Sequence, residues 1–120
     1  MPIGTITKNA ERKELTTLPG AFVVVRRMTY GEKLERQDDM LNMRTSLDSS
    51  LFELKMMSKS MALKDFGNLI VEHNITDEND RLLNFKDAKD VVALDPRVGE
   101  EIGVLIDRIN AFEETEQTKN

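Results

Sequence analysis

Cysteine and tryptophan are both missing from this 120-residue chain, and histidine and tyrosine occur once each. Without cysteine there is no disulfide and no thiolate metal site, so the fold rests on packing alone, as is usual in a reducing compartment. With His73 as the lone histidine, no multi-histidine zinc site can be built, and any hydroxyl nucleophile has only one imidazole to turn to. Aromatic residues make up only 5%, which leaves core packing to Leu, Ile, Val and Met. Apolar runs stop at four or five residues, against the ~20 that a membrane-spanning helix needs. The opening Met1-Pro2-Ile3-Gly4-Thr5 lacks the apolar stretch of a secretory signal, which points to the cytoplasm. Positive charge is in short supply as well. Lys and Arg number 17 against 22 Asp and Glu, giving a net charge of −5 and an isoelectric point near 4.9. That balance runs against a nucleic-acid footprint, which needs a basic face. Phosphate-loop, dinucleotide and nucleophile-elbow motifs are all missing.

What is present suits one modest domain. Hydrophobic residues make up 39% and charged residues 32%, enough for a single core at this length. Residues 1–10 read as a flexible polar lead, 11–112 as one α+β domain, and 113–120 as a polar tail. Leu18-Pro19-Gly20 is a turn, because Pro fixes φ and Gly accepts positive φ. It is predicted to join residues 14–17 and 21–27 as a β-hairpin, with Phe22-Val23-Val24-Val25 β-branched and aromatic. A lone hairpin is marginal in water, so its apolar face must lie on helices, three or four of which are predicted.

Thr29 and Glu32 fit the reciprocal capping box that starts a helix. Leu34, Leu41 and the Met40/Met43 pair recur at helical spacing from there to about residue 44. Thr45-Ser46-Leu47-Asp48-Ser49-Ser50 prefers turns, yet Leu47, Leu51 and Leu54 keep the spacing, so residues 30–61 form one bent helix or two. Leu63, Phe66, Leu69 and Ile70 continue a helical face that is predicted to end near His73-Asn74. An acidic turn follows, with Leu82, Leu83 and Phe85 returning to the core. A short helix is expected over 86–94. Asp95-Pro96 then starts a last helix, with Asp as N-cap and Pro at its first position, and a buried stripe of Ile102, Leu105, Ile106, Ile109 and Phe112.

Candidate chemistry is sparse. Asp77-Glu78-Asn79-Asp80 fails as a calcium loop, because Arg81 and Leu82 stand where a ligand and a glycine are required. Asp38 and Asp39 are adjacent on a helix and point in different directions. His73, near a predicted helix end, is expected to meet terminal carbonyls. The Asn74-Ile75-Thr76 sequon reads as accidental in a cytosolic chain. No catalytic residue, cofactor or metal is expected. Five of the seven methionines, Met40, Met43, Met56, Met57 and Met61, fall close together. Such unbranched, polarizable side chains either fill irregular cores or form adaptable surfaces for a partner's amphipathic helix. Arg26 and Arg27 leave the strand where they pair with acidic neighbours or make a self-association contact.

Three segments carry a family resemblance. Leu18-Pro19-Gly20 followed by Phe22-Val23-Val24-Val25-Arg26-Arg27-Met28-Thr29-Tyr30-Gly31-Glu32 resembles the opening of the small tail assembly chaperones of long-tailed, siphovirus-like bacteriophages. A Pro–Gly turn, a strand ending in arginine and a Thr/Ser-Tyr-Gly helix start recur there. Residues 71–85 resemble that family's helix, acidic turn and apolar return, with Asp80 standing where the family carries glycine. Asp95-Pro96-Arg97-Val98-Gly99-Glu100-Glu101-Ile102 onward is similar to its final helix. The resemblance implies a non-enzymatic, oligomeric chaperone that coats the helical tape measure protein in the host cytoplasm and is absent from the finished virion. It also implies recruitment of tail tube protein, through a longer frameshifted form, with no nucleic-acid or membrane partner. The alternatives are a structural tail completion or adaptor subunit retained in the particle, and a small bacterial regulatory or antitoxin-like binder.

Overall fold

The valine-rich segment becomes the centre of the sheet. In the computed structural model, β2 (Phe22–Arg26) lies between β1 (Ala10–Glu14) and β3 (Ile70–His73) in a three-stranded antiparallel sheet. The structure describes residues 2, 4, 10–45 and 51–118, with the side chains of 10–42 and 56–110 among them. Val23 and Val25 are fully buried while Phe22, Val24 and Arg26 are half-buried, the two-residue alternation of a strand with one face on a core. Four helices complete the described architecture: α1 (Tyr30–Thr45), α2 (Leu51–Leu69), α3 (Ala88–Val92) and α4 (Pro96–Thr118). The expected α+β class, with an N-terminal hairpin packed on helices, is what forms.

The first arm of the hairpin lies earlier in the chain than expected, and the second is shorter than 21–27. The register runs from Ala10↔Arg26 to Glu14↔Phe22, so the first strand starts within the segment read as a flexible lead. Of residues 14–17 only Glu14 pairs in the strand, because Thr16 and Thr17 give their amides to the Glu101 carboxylate at 2.9–3.0 Å. The turn closes with Leu15 N–H on Ala21 O and Ala21 N–H on Leu18 O, and Gly20 supplies a φ of +87° there.

The helical spacing of Leu63, Phe66, Leu69 and Ile70 ran one element too far. Helix α2 stops at Leu69, and Ile70–His73 turns into a strand on the free side of β2, with a register shift between Val24 and Val25. His73 therefore sits in a strand rather than at a helix end. Its ring stacks on Phe85 at 4.2 Å, and its Nδ1 accepts the Ile75 N–H at 3.0 Å.

Helices α1 and α2 are separate elements whose joint, residues 46–50 including Leu47, lies outside the described residues. They run antiparallel: Arg36 meets Asp65, and Lys64 meets Glu35 and Asp39. Helix α3 is shorter than the expected 86–94 and is capped by Asp87, which accepts the Lys89 N–H at 3.0 Å. Asp95 caps α4 through the Arg97 N–H at 2.9 Å. That helix continues to Thr118, through most of the stretch read as a polar tail.

The core gathers Val23 and Val25 from the sheet, Phe66 and Leu69 from α2, Ile75, Leu83 and Phe85 from the connection, and Val98, Ile102, Ile106 and Ile109 from α4. Leu105 packs partly against it, and the side chain of Phe112 lies outside the described residues. Leu82 does not return to the core as expected. It pairs with Thr76 in an isolated bridge and stays 56% exposed, while its neighbour Leu83 points in.

Candidate functional site

Among the helices, α1 is the least committed to the core. None of residues 30–42 is buried, whereas α4 buries Val98, Ile102, Ile106 and Ile109. Yet α1 carries large apolar side chains in the open: Tyr30 is 76% exposed, Leu34 43%, Met40 40% and Leu41 57%. Its start is set locally. Thr29 Oγ1 accepts the Glu32 N–H at 3.2 Å, and the Glu32 carboxylate accepts the Thr29 N–H at 2.9 Å, closing the expected capping box.

The same carboxylate receives the Arg26 guanidinium as a fork, Nη1 to Oε1 and Nη2 to Oε2, both at 2.8 Å. Arg26 thereby locks the end of β2 to the first turn of α1, and its hydrogen bonds hold the Glu32 carboxyl down to about 2. So Arg26 takes the acidic-neighbour role of its two expected ones. Arg27 is half-buried, and its carbonyl accepts a further Arg26 N–H at 3.0 Å.

Against α2 and α4, α1 is held mainly by charge. Arg36 Nη2 lies 3.3 Å from Asp65 and 3.0 Å from Asp107, so one guanidinium reaches both other helices. Burial outweighs Arg36 at Asp65 and pushes its carboxyl above the ordinary value. Lys64 spans to Glu35 at 3.4 Å and Asp39 at 3.2 Å. The exposed Lys64 pairs contribute ~0–1 kcal/mol each. They set the spacing of the helices more than they bind them together.

That spacing leaves clefts, and the methionines line them. A groove of about 280 Å³ runs between α1, α2 and α4, walled by Met40, Met61, Ala62, Phe66, Gly103 and Ile106. A second, of about 120 Å³, lies between α1 and α2 beside Met57 and Met61. Of the five methionines singled out, Met61 thus joins Met40 in one cleft and Met57 in the other. Met56 is 49% exposed and lines neither, and the side chain of Met43 lies outside the described residues. Among the described members of this cluster none is buried in the core: Met57 and Met61 are half-buried, and Met40 and Met56 are exposed. Gly103 keeps the larger groove open at α4, where an added Cβ would meet nothing within 4 Å.

The polar residues seen as candidates are taken up structurally. Asp39 pairs with Lys64 while Asp38 is exposed. Asp77 closes a turn on itself, accepting the Asn79 and Arg81 N–H groups at 2.8 and 3.0 Å. Among the described residues, no group of three or more His, Cys, Asp or Glu is placed to hold a metal ion. The ties that sequence reasoning missed are long-range. Asp90, 7% exposed, accepts a fork from Arg81 at 2.8 and 3.1 Å and the Asn84 N–H at 2.7 Å. Asn74 bridges β3 to the hairpin turn, taking the Phe22 N–H and giving to Gly20 O, both at 2.9 Å. Nothing local in the sequence marks these partners, since each depends on the tertiary meeting of distant segments. Comparison of the chain with protein-family models, curated proteins and solved structures gives no match, so the geometry above is what bears on its role.

Proposed function

We propose that the chain is a non-enzymatic tail assembly chaperone of a long-tailed bacteriophage. It binds and solubilises the helical tape measure protein in the host cytoplasm and helps bring tail tube subunits to it, then leaves before the particle is finished. The observation that carries this reading is the α1–α2 hairpin: a helix that buries none of residues 30–42, shows Leu34, Met40 and Leu41, and opens a methionine-walled groove against its neighbours. A helix draws most of its stability from packing an apolar face. One that leaves such a face uncovered is suited to receive the face of another helix, and flexible Met side chains adapt to varied partners. The partner that the resemblance implies, the tape measure protein, is long and helical. The sequence resemblance points to the partner, and the exposed apolar face of α1 supports that reading.

The test is co-expression with the tape measure protein of the same phage, followed by size exclusion with light scattering. A soluble complex with many copies of this chain per tape measure chain is expected. Met40→Gln with Met61→Gln should release the partner while leaving the thermal midpoint within a few degrees. If the tape measure protein aggregates alongside this chain and the chain appears in purified particles, it is instead a retained tail subunit.

A further inference from the structure

The sheet has one long open edge. Among the described residues nothing pairs with the outer side of β1, because the strand order is β1-β2-β3. Which backbone groups face outward follows from two hydrogen bonds. Leu15 N–H goes to Ala21 O at 2.9 Å, toward β2, and Phe22 N–H goes away from β1 to Asn74 Oδ1 at 2.9 Å. Backbone direction alternates along an antiparallel pair. Glu11, Lys13 and Leu15 therefore bond to β2, and Ala10, Arg12 and Glu14 present their N–H and C=O groups outward.

Edge strands commonly carry charge that keeps other strands off. Here the charges are arranged so that one register suits them. The strand reads Ala10-Glu11-Arg12-Lys13-Glu14, with two acids and two bases. A two-fold axis through Arg12 sets Arg12 opposite Arg12 and Ala10 opposite Glu14, and these are the residues whose backbone groups point outward, so each pair exchanges both bonds. Glu11 then stands opposite Lys13 of the second copy, and Lys13 opposite its Glu11. These fall at the pairs without direct backbone bonds, where side chains across an antiparallel ladder are closest. Arg12 meets Glu14 of the second copy on the diagonal, within reach of long side chains. Directly across the pair the one like-charged meeting is Arg12 with itself, and it is relieved because each guanidinium lies over its own Phe22 ring at 3.8 Å, back toward β2. Glu11 meets Glu11 and Lys13 meets Lys13 of the second copy only on the longer diagonals, where the opposite-charge pairs directly across outweigh them.

We infer that the occupant of this edge is a second copy of the chain, joined β1 to β1 in antiparallel register about Arg12. The product is a continuous six-stranded sheet, β3-β2-β1 followed by its two-fold image. This interface is separate from the α1–α2 face, so its test says nothing for or against tape measure binding.

The experiment is sedimentation equilibrium of the full chain over a concentration series, with four proteins. The unaltered chain should dimerise. Glu11→Lys sets lysine against lysine and Lys13→Glu sets glutamate against glutamate, so each should weaken the dimer by about tenfold or more. An equimolar mixture of these two variants should dimerise again, since each supplies the charge the other lacks, and the double reversal should dimerise alone. In the unaltered chain, the amides of Ala10, Arg12 and Glu14 should exchange with solvent slowly when concentrated and quickly when dilute, a reading that needs no variant. A monomer at every concentration, single variants that stay dimeric, a mixture that stays monomeric, or exchange at these amides that ignores concentration would each overturn the inference.

Discussion

Asp80 is the one described non-glycine residue with a left-handed backbone, at φ +61°. It stands where the resembled family carries glycine. Its amide closes the turn on Asp77 O at 3.1 Å, so the conformation is imposed by the Asp77–Arg81 loop rather than chosen by the side chain. A left-handed L-residue costs ~1–2 kcal/mol, somewhat less for Asp, and glycine escapes that cost. Asp80→Gly should therefore raise the unfolding free energy by up to about 1 kcal/mol, and Asp80→Val should lower it by about 1–2 kcal/mol. Urea unfolding of the two variants measures both. Asn74 invites the opposite expectation. Read as part of an accidental glycosylation sequon, it is a clamp whose amide satisfies two backbone groups, on Gly20 and Phe22. Asn74→Ala should destabilise by about 1–2 kcal/mol, in line with two lost bonds of partly exposed groups, and Asn74→Asp should recover only the half that accepts from Phe22.

Between elements, the junction of β2 with α1 shows how a local signal and a tertiary one can share one carboxylate. The capping box was readable, because Thr29 and Glu32 are three residues apart in one turn. The Arg26 fork was not, because it depends on the strand ending where the helix begins. Glu32→Gln separates them, since glutamine can still cap while the ion pair is lost. The variant should lose about 1 kcal/mol near neutral pH, and the loss should shrink as pH falls toward 2, where the unaltered carboxyl begins to take up its proton. Parallel urea titrations at the two pH values give the comparison. The same division explains which elements were legible. Strand β2 and the starts of α1 and α4 announce themselves through β-branching, caps and Asp-Pro. Strand β1 does not, since Ala10-Glu11-Arg12-Lys13-Glu14 has no apolar alternation and becomes a strand only because β2 lies beside it. Strand β3 was hidden inside a helical period, because Ile70 suits either continuation and only the free side of β2 decides. The methionine cluster was visible in the sequence. That Met40 and Met61 share a groove with Gly103 and Ile106 required three helices to meet, and spacing along one chain does not encode that.

For the molecule as a whole, distant segments are tied by carboxylates held unusually acidic. Glu32 joins β2 to α1, Asp90 joins α3 to the loop at Arg81, and Glu101 joins α4 to Thr16 and Thr17 beside the hairpin turn. Hydrogen bonds hold each of these carboxyls down to about 2: from Arg26 at Glu32, from Arg81 at Asp90, and from the Thr16 and Thr17 backbone and hydroxyls at Glu101. Below their ordinary values of 4.5 and 3.8 the unfolded chain takes up protons that the folded one refuses. Their contribution is thus complete above about pH 5 and is lost as pH falls toward 2. His73 adds a step at higher pH. Burial against Phe85 lowers its pKa from 6.5, so the unfolded imidazole charges first and stability begins to decline once pH drops below that value. Asp65 works in the other direction, since burial raises its carboxyl and protonation there favours the fold. Five lowered carboxyls, Asp77 and Asp95 with the three above, and one lowered imidazole outnumber it, so the thermal midpoint should be flat above pH 7, sag as pH falls below 6.5, and fall steeply below 4.5. His73→Phe, which keeps the stacking on Phe85 while giving up the Ile75 bond, should remove the sag and leave the steep acid limb. Glu101→Gln should lower the midpoint by several degrees at pH 7 and shrink the acid limb, because an amide offers the four Thr16 and Thr17 donors a single acceptor oxygen in place of two. Differential scanning from pH 2 to 8 on the three proteins separates the histidine from the carboxylates. An acid limb left unchanged by Glu101→Gln would mean that the α4-to-hairpin tie carries none of the molecule's pH dependence.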